Sequence, residues 1–315
     1  MMRLLLLAFA LVATAACAQE PVAVEEGATG TPARTMAITI DDLPVGRGHS
    51  LAHQQRVTRD LLAQIASADV PVIGFVNEGK LHVDDQRDAR VDLLRQWVAA
   101  GHPLGNHTYG HPSLFNTPLA DYQADVIRGE PITRALLAER GDSLRYFRHP
   151  YLNTGPDLAT KQAVESWLGG RGYTIAPVTH DNAEYLYALA YDEAAGDDSL
   201  RARIADAYLD YMDETAVYYE ALSCQLFGRE IAGILLLHAN ALNADHLGRL
   251  AARFRARGYA FTTLDEALED PAYASEDTYA GRAGMSWLQR WAITRGVGLT
   301  PEPTPHDWIL ALTSS

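Results

Sequence analysis

Cysteine is nearly absent: the 315-residue chain has two, Cys17 and Cys224. Cys17 lies in a stretch read below as removed on export, which leaves Cys224 alone. One cysteine excludes an intramolecular disulfide and a thiolate metal site. Basic charge is also short, with 26 Lys and Arg against 40 Asp and Glu and a net charge of −14. Such a chain lacks the basic face that nucleic acid or an anionic membrane surface needs. Long apolar runs are missing too. Leu4 to Ala16 is too short to span a bilayer, so no integral span is expected in the mature chain. There is no internal repeat and no low-complexity block.

The N-terminus carries a different signal. Met1-Met2-Arg3 gives a positive start, the apolar run follows, and Ala16-Cys17-Ala18 offers a small-x-small cleavage site. Residues 1–18 therefore read as a signal peptide with Gln19 as the mature N-terminus, and the protein is expected to be periplasmic or extracellular. Lipid attachment at Cys17 is the alternative, although Thr14 stands where such sites usually carry Leu. Residues 19–35 read as a linker rich in Pro, Gly, Thr and Glu.

Beyond the linker, 48% hydrophobic and 21% charged residues suit one large globular core. Strand-like runs at Met36–Ile40, Val70–Val76, Pro103–Asn106, Leu144–Phe147, Tyr173–Val178, Ile231–Leu237 and Tyr259–Thr262 alternate with helical stretches. That alternation predicts parallel strands with helices outside, closed or nearly closed into a barrel over 36–270. Residues 184–228 form a long helical insertion after the fifth strand, dense in tyrosine. Such a stripe usually packs in a core, and a sugar-stacking wall is the rarer use. Residues 271–315, with Trp287, Trp291 and Trp308, are expected to pack on the outside of the barrel.

Active sites of parallel α/β barrels lie at the C-terminal ends of the strands, and ionisable residues recur at those ends. The first strand runs into Asp41-Asp42, the third into His107 and His111. The fourth ends at Arg148-His149-Pro150-Tyr151, the fifth is followed by His180-Asp181-Asn182, and the sixth ends at His238. One turn of helix would put His107 and His111 on one side. With Asp42 they make a carboxylate and two imidazoles, which hold a divalent metal and leave positions open for water and substrate. Asp41 can then take a proton from water, steadied by Arg148. Asp181 can orient a histidine, and His238 can protonate a leaving atom. The set describes metal-assisted hydrolysis of an amide or ester. Other readings stand beside it. An Asp-Asp pair often serves a turn, Arg148 can be a structural ion pair, and His238, His149 and His180 can be core histidines. Two histidines and a carboxylate also suit non-haem iron, although those oxygenases sit on a different scaffold.

At this point the sequence resembles the polysaccharide deacetylases, the NodB-homology group of carbohydrate esterase family four. The family's Thr-Phe-Asp-Asp motif is here Thr39-Ile40-Asp41-Asp42, and His-Ser/Thr-x-x-His is His107-Thr108-Tyr109-Gly110-His111. Arg-x-Pro-Tyr/Phe is Arg148-His149-Pro150-Tyr151, and Leu-x-His is Leu236-Leu237-His238. The resemblance implies a distorted (β/α)7 barrel that removes N- or O-acetyl groups from an oligo- or polysaccharide. It implies Asp41 as base and His238 as acid, with Arg148 steadying Asp41 and Asp181 tuning His238. Asp42, His107 and His111 would hold the metal, Zn2+ first and Co2+, Ni2+ or Mn2+ as alternatives. Pro150 and Tyr151 would form the oxyanion side of the substrate site through the Tyr151 backbone amide. The sequence departs from the family at Ile40, at the fourth motif, where Asp181 and Tyr185 stand for an Asp and Trp pair, and in the long insertion. The other readings of the same fold are a non-catalytic carbohydrate-binding relic and a deacylase or deformylase of another sugar or small amide. Peptidoglycan or chitin fragments are the first substrates expected and acetylated xylan the second. Oligomeric state is not legible.

Overall fold

The structure, a computed structural model, describes residues 34–47 and 50–313. The signal peptide and all but the end of the expected linker lie outside the described residues.

Strand β1 (Arg34–Leu43) sets the plan through its period of two. Met36, Ile38 and Ile40 point into the layer shared with the helices. There they meet Val57, Leu61 and Ile65 of α1 (Leu51–Ala68) and Leu247 and Phe254 of α8 (Ala241–Ala256). Ala37 points into the barrel, beside Ile73, Phe75, Tyr146, Ala176 and Ile234. Thr39 and Asp41 share that inner face, and Thr39 Oγ1 donates to the Leu235 carbonyl at 2.8 Å.

The strands are all parallel. β2 (Val72–Val76), β3 (Leu104–Asn106), β4 (Tyr146–Phe147) and β5 (Thr174–Ile175) follow β1 on one side, and β6 (Gly233–His238) pairs its other edge. β7 (Tyr259–Thr262) pairs the first half of β1, below β2. Helices α2 (Arg87–Ala99), α3 (Leu119–Arg128), α4 (Pro131–Ala138) and α5 (Leu158–Gly170) make the outer connections.

The fifth strand is shorter than its apolar run predicts because the chain changes partner. The Ala176 amide still bonds to Phe147 of β4, but the Thr179 and His180 amides both bond to Ile234 of β6. A single parallel bridge, His180 to Leu235, thus joins the two ends of the curled sheet. This is the distorted (β/α)7 barrel the sequence predicts.

Two segments fill the seam that this crossing leaves. The insertion is α6 (Glu184–Glu193) and the 30-residue α7 (Asp198–Phe227). Its Tyr187, Tyr191, Tyr208, Tyr211 and Tyr219 are buried. After the short α9 (Leu264–Leu268), the C-terminal extension carries α10 (Trp287–Thr294) and α11 (Asp307–Thr313). Trp287, Leu288 and Trp291 share a buried cluster with Leu152, Val178 and Leu236. The Trp287 amide donates to the Val178 carbonyl at 2.7 Å. The extension is therefore part of the core at this seam rather than only a wrap around the barrel.

Candidate active site

Successive residues of a strand face opposite ways, so Asp41 and Asp42 share a site only if the strand is interrupted. It is. Register between β1 and β2 shifts between Ile40 and Leu43, and Asp42 has φ +73°. The bulge turns Asp42 into the cavity beside Asp41.

His107 and His111 are brought together differently from the helical turn expected of their spacing. They lie on a tight loop after β3, with Thr108 at φ +66° and His111 at φ +58°. Side chains take up the amides that such a loop leaves without a ladder. Asn106 Oδ1 accepts from Thr108 N at 2.7 Å, and Thr108 Oγ1 accepts from His111 N at 3.0 Å. Asp125 Oδ1 accepts from Tyr109 N and Gly110 N at 3.0 and 2.9 Å.

This loop leaves the two Nε2 atoms 3.1 Å apart. Asp42 Oδ1 is 3.7 Å from His111 Nε2 and 4.0 Å from His107 Nε2. The three ligand atoms all lie within 4.8 Å of one another. His107 Nδ1 is 2.9 Å from the Arg148 carbonyl, which can only accept. The proton therefore sits on Nδ1, and the Nε2 lone pair faces the group. Burial, then the neighbouring His111, hold His107 well below the usual imidazole range, and burial also lowers His111. Neutral imidazoles and an ionised carboxylate are the forms that bind a metal, so the residues present fit a divalent ion.

Arg148 is fully buried, with NH1 3.7 Å from Asp41 Oδ2 and NH2 donating to Thr39 Oγ1 at 2.9 Å. Burial pushes Asp41 up to about 6, opposed mainly by Arg148. Asp42 moves the other way. Burial alone would raise it, but Lys80, His111 and His107 together hold it well below the usual carboxylate range. Lys80 Nζ is 3.1 Å from Asp42 Oδ1 and also donates to the Asp42 carbonyl at 3.1 Å. Two adjacent carboxylates thus have separate characters, one poised to take a proton and one held charged.

The partner of His238 is a correction. The carboxylate hydrogen-bonded to its Nδ1 is Glu184, at 2.8 Å, and not Asp181. Glu184 is fully buried in the first turn of α6, and its other oxygen accepts from Asn243 Nδ2 at 2.6 Å and from Asn240 Nδ2. Burial would lower His238, but the Glu184 hydrogen bond and charge raise it to about 9. Asp181 instead accepts from the Asn182 amide at 2.8 Å and lines the cavity. Burial, eased by that hydrogen bond, raises it to about 7. The chain turns at Asn182, whose side chain is tied to the Leu236 carbonyl at 2.8 Å. That turn gives Glu184, three residues after Asp181, the contact expected of Asp181.

Two residues of the site were missed from the sequence, Glu184 and Lys80. Asn77-Glu78-Gly79-Lys80 follows β2, so Lys80 too stands at the C-terminal end of a strand. His149 and His180 are buried core histidines: His149 Nδ1 meets Tyr122 Oη at 3.1 Å, and His180 closes the barrel.

Asp41, Asp42, His107, His111, Tyr151 and His238 all line one cavity of about 930 Å³. Tyr151 lies in the short helix Pro150–Leu152 and has φ +56°. The extension lies directly on it: a Cβ placed on Gly284 would fall 1.6 Å from the Tyr151 carbonyl oxygen. Asn153 Nδ2 donates to the Gly281 and Arg282 carbonyls at 3.0 Å each.

The model of the family described as polysaccharide deacetylase matches residues 28–166. A chitin deacetylase of Colletotrichum lindemuthianum is 30% identical over 187 residues, which are 56% of this chain and 67% of that protein. The chain belongs to the polysaccharide deacetylase family. Membership places it among hydrolases that remove acetyl groups. A chitooligosaccharide deacetylase of Sinorhizobium fredii is 29% identical over 135 residues, 43% of this chain and 55% of that one. The solved structure of the Colletotrichum chitin deacetylase has a TM-score of 0.50 at 25% identity, covering 76% of this chain and 88% of that one. The polysaccharide deacetylase match ends before Asp181, Glu184 and His238, so those positions rest on the geometry above.

Proposed function

We propose that this polysaccharide deacetylase is a metal-dependent hydrolase that removes N- or O-acetyl groups from a carbohydrate outside the cytoplasm. The observation that carries the reading is the convergence of six strand ends on one cavity. Asp42, His107 and His111 form a metal-ligand group there, with Asp41 and His238 beside it. The three ligands would hold a divalent ion, zinc first by the chemistry of two imidazoles and a carboxylate. When bound, such an ion supplies Lewis acidity that activates water and polarises a carbonyl.

The chain's own residues do the rest. Asp41, held ionised by Arg148, takes the proton of the attacking water on its carboxylate. The backbone N–H of Tyr151 is the donor toward the developing oxyanion, and Pro150 fixes the turn before it. His238 keeps its Nδ1 proton toward Glu184 and delivers the proton on Nε2 to the leaving nitrogen or oxygen. Asp181 acts on the substrate side of the cavity. Peptidoglycan or chitin fragments come first as substrates, on the strength of the relatives' printed activities, and acetylated xylan second. Among the described residues no helix is long and apolar enough to cross a membrane. The apolar, Ala-x-Ala-terminated N-terminal segment supports export.

The ligand assignment is tested by metal content. Asp42→Ala and His107→Ala should each copurify with less than about a tenth of the wild-type metal. Wild-type stoichiometry in either would remove that residue from the ligand set.

A further inference from the structure

Lys80 lines the catalytic cavity and touches the proposed ligand group without being able to join it. Its Nζ donates to the Asp42 and Gly46 carbonyls at 3.1 and 3.4 Å and lies 3.1 Å from Asp42 Oδ1. Three oxygens around one nitrogen take up the three protons of an ammonium, which has no lone pair to give a metal. The short helix Glu78–Leu81 delivers it, and the segment is tied to both ligand-bearing turns. Asn77 N donates to the Leu43 carbonyl at 3.1 Å and Asn77 Nδ2 to the His107 carbonyl at 2.5 Å. Gly79 N donates to the Tyr109 carbonyl, between the two histidines, at 3.0 Å.

Shaping the Asp42 turn does not by itself require a charge. Backbone bonds already hold the chain on either side of Asp42. Ala239 N donates to the Asp41 carbonyl at 3.1 Å, Gly46 N donates to the Ala239 carbonyl at 2.8 Å, and Asn77 N holds Leu43. What Lys80 adds is electrostatic. Among the described residues, the ion pairs of the site are Asp41 with Arg148, Asp42 with Lys80, and His238 with Glu184. The charges in contact therefore cancel before a divalent ion enters, and His107 and His111 bring none. An arriving ion would also share Asp42 Oδ1 with an ammonium, and like charges that close repel strongly in a cavity of low dielectric.

We infer that Lys80 is a resident counter-cation of the ligand group, which balances Asp42 in the metal-free protein and weakens the hold on the ion that binds. Lys80 is a positioning residue in this account and touches no reacting atom. The metal is then exchangeable, and occupancy follows the free concentration of divalent ion. The inference rests on the metal-dependent reading of the site but makes a separate claim about affinity.

The test is zinc affinity, read by chelator competition on metal-stripped wild type, Lys80→Met and Lys80→Arg. Lys80→Met keeps most of the stem and loses the charge, and it should bind zinc at least about tenfold more tightly. Lys80→Arg keeps the charge and should bind no more tightly than wild type. A residue that only held the turn would give the opposite sign, because its loss would weaken binding. Zinc should also raise the Tm of Lys80→Met by more than it raises that of wild type. Should metal-free Lys80→Met fail to fold, the comparison is made on protein purified with zinc, which a chelator should strip about tenfold more slowly than from wild type. Zinc held by Lys80→Met no more tightly than by wild type, equal tightening in Lys80→Arg, or stripping at the wild-type rate would overturn the counter-cation. Failure of the metal reading looks different: neither wild type nor Lys80→Met would bind zinc, which would remove the ligand group and this inference with it.

Discussion

In the proposed mechanism Glu184 makes His238, at the cavity wall, the acid. Its buried carboxylate accepts from His238 Nδ1, so the proton available to substrate is the one on Nε2. Glu184→Gln keeps the shape and removes the charge that raises His238. A general acid works only while protonated, so the alkaline limb of kcat/KM should move to lower pH. The value of kcat should fall at least about tenfold with metal content kept. An unmoved limb would show that Glu184 is only a packing residue. His149 makes the opposite case, a histidine kept neutral. Burial, then the charge of Arg290, lower it to about 3. Its folded value lies below the unfolded value of about 6.5, so its contribution is intact above that pH and lost as pH falls toward 3. Wild type should lose about 2 kcal/mol through this group between pH 7 and pH 5. His149→Phe, less stable at pH 7 for want of the Tyr122 hydrogen bond, should narrow its gap to wild type by that amount in urea unfolding. A gap that stays constant would mean that folded His149 takes up its proton as readily as the unfolded residue does.

At the scale of elements, the chain shows its strands plainly and its loops poorly. β7 falls where its apolar run lies, and β1, β2, β3 and β6 fall within a few residues of theirs, because alternation and β-branched content report burial directly. What stayed hidden depends on tertiary partners. The β1 bulge that aims Asp42 inward, the left-handed Thr108 and His111, and the partner switch after Ile175 leave no periodic trace. Asp42, His107 and His111, the proposed metal ligands, were legible as residue types at strand ends. The assignment of a partner to His238 was not, since it turns on the path of the chain at Asn182. The extension was legible as apolar but not as a support for Tyr151. Gly284 tests that support. Its Cβ would collide with the Tyr151 carbonyl oxygen, so Gly284→Ala must displace one of the two backbones. It should lower kcat by on the order of tenfold or more, with metal content unchanged, if the Tyr151 amide is positioned by the extension. Unchanged kcat would separate the extension from the site.

The molecule as a whole is a barrel whose ends meet at one bridge, with the insertion and the extension packed into the seam and forming the far wall of the cavity. Its surplus of acidic residues says little about the reaction, because the site is organised by a few buried charges set against one another. Asp41 faces Arg148, Asp42 faces Lys80, and His238 faces Glu184. This arrangement predicts hydrolysis that needs both the ligand group and Asp41. The most direct measurement is acetate release from acetylated chito-oligomers, peptidoglycan and acetylxylan by wild type, by chelator-treated wild type and by Asp41→Asn. Release from at least one substrate should be abolished by chelation and restored by added divalent ion. In Asp41→Asn it should fall about a hundredfold or more while metal remains bound. Release that survives chelation, or that Asp41→Asn sustains at the wild-type rate, would contradict the account.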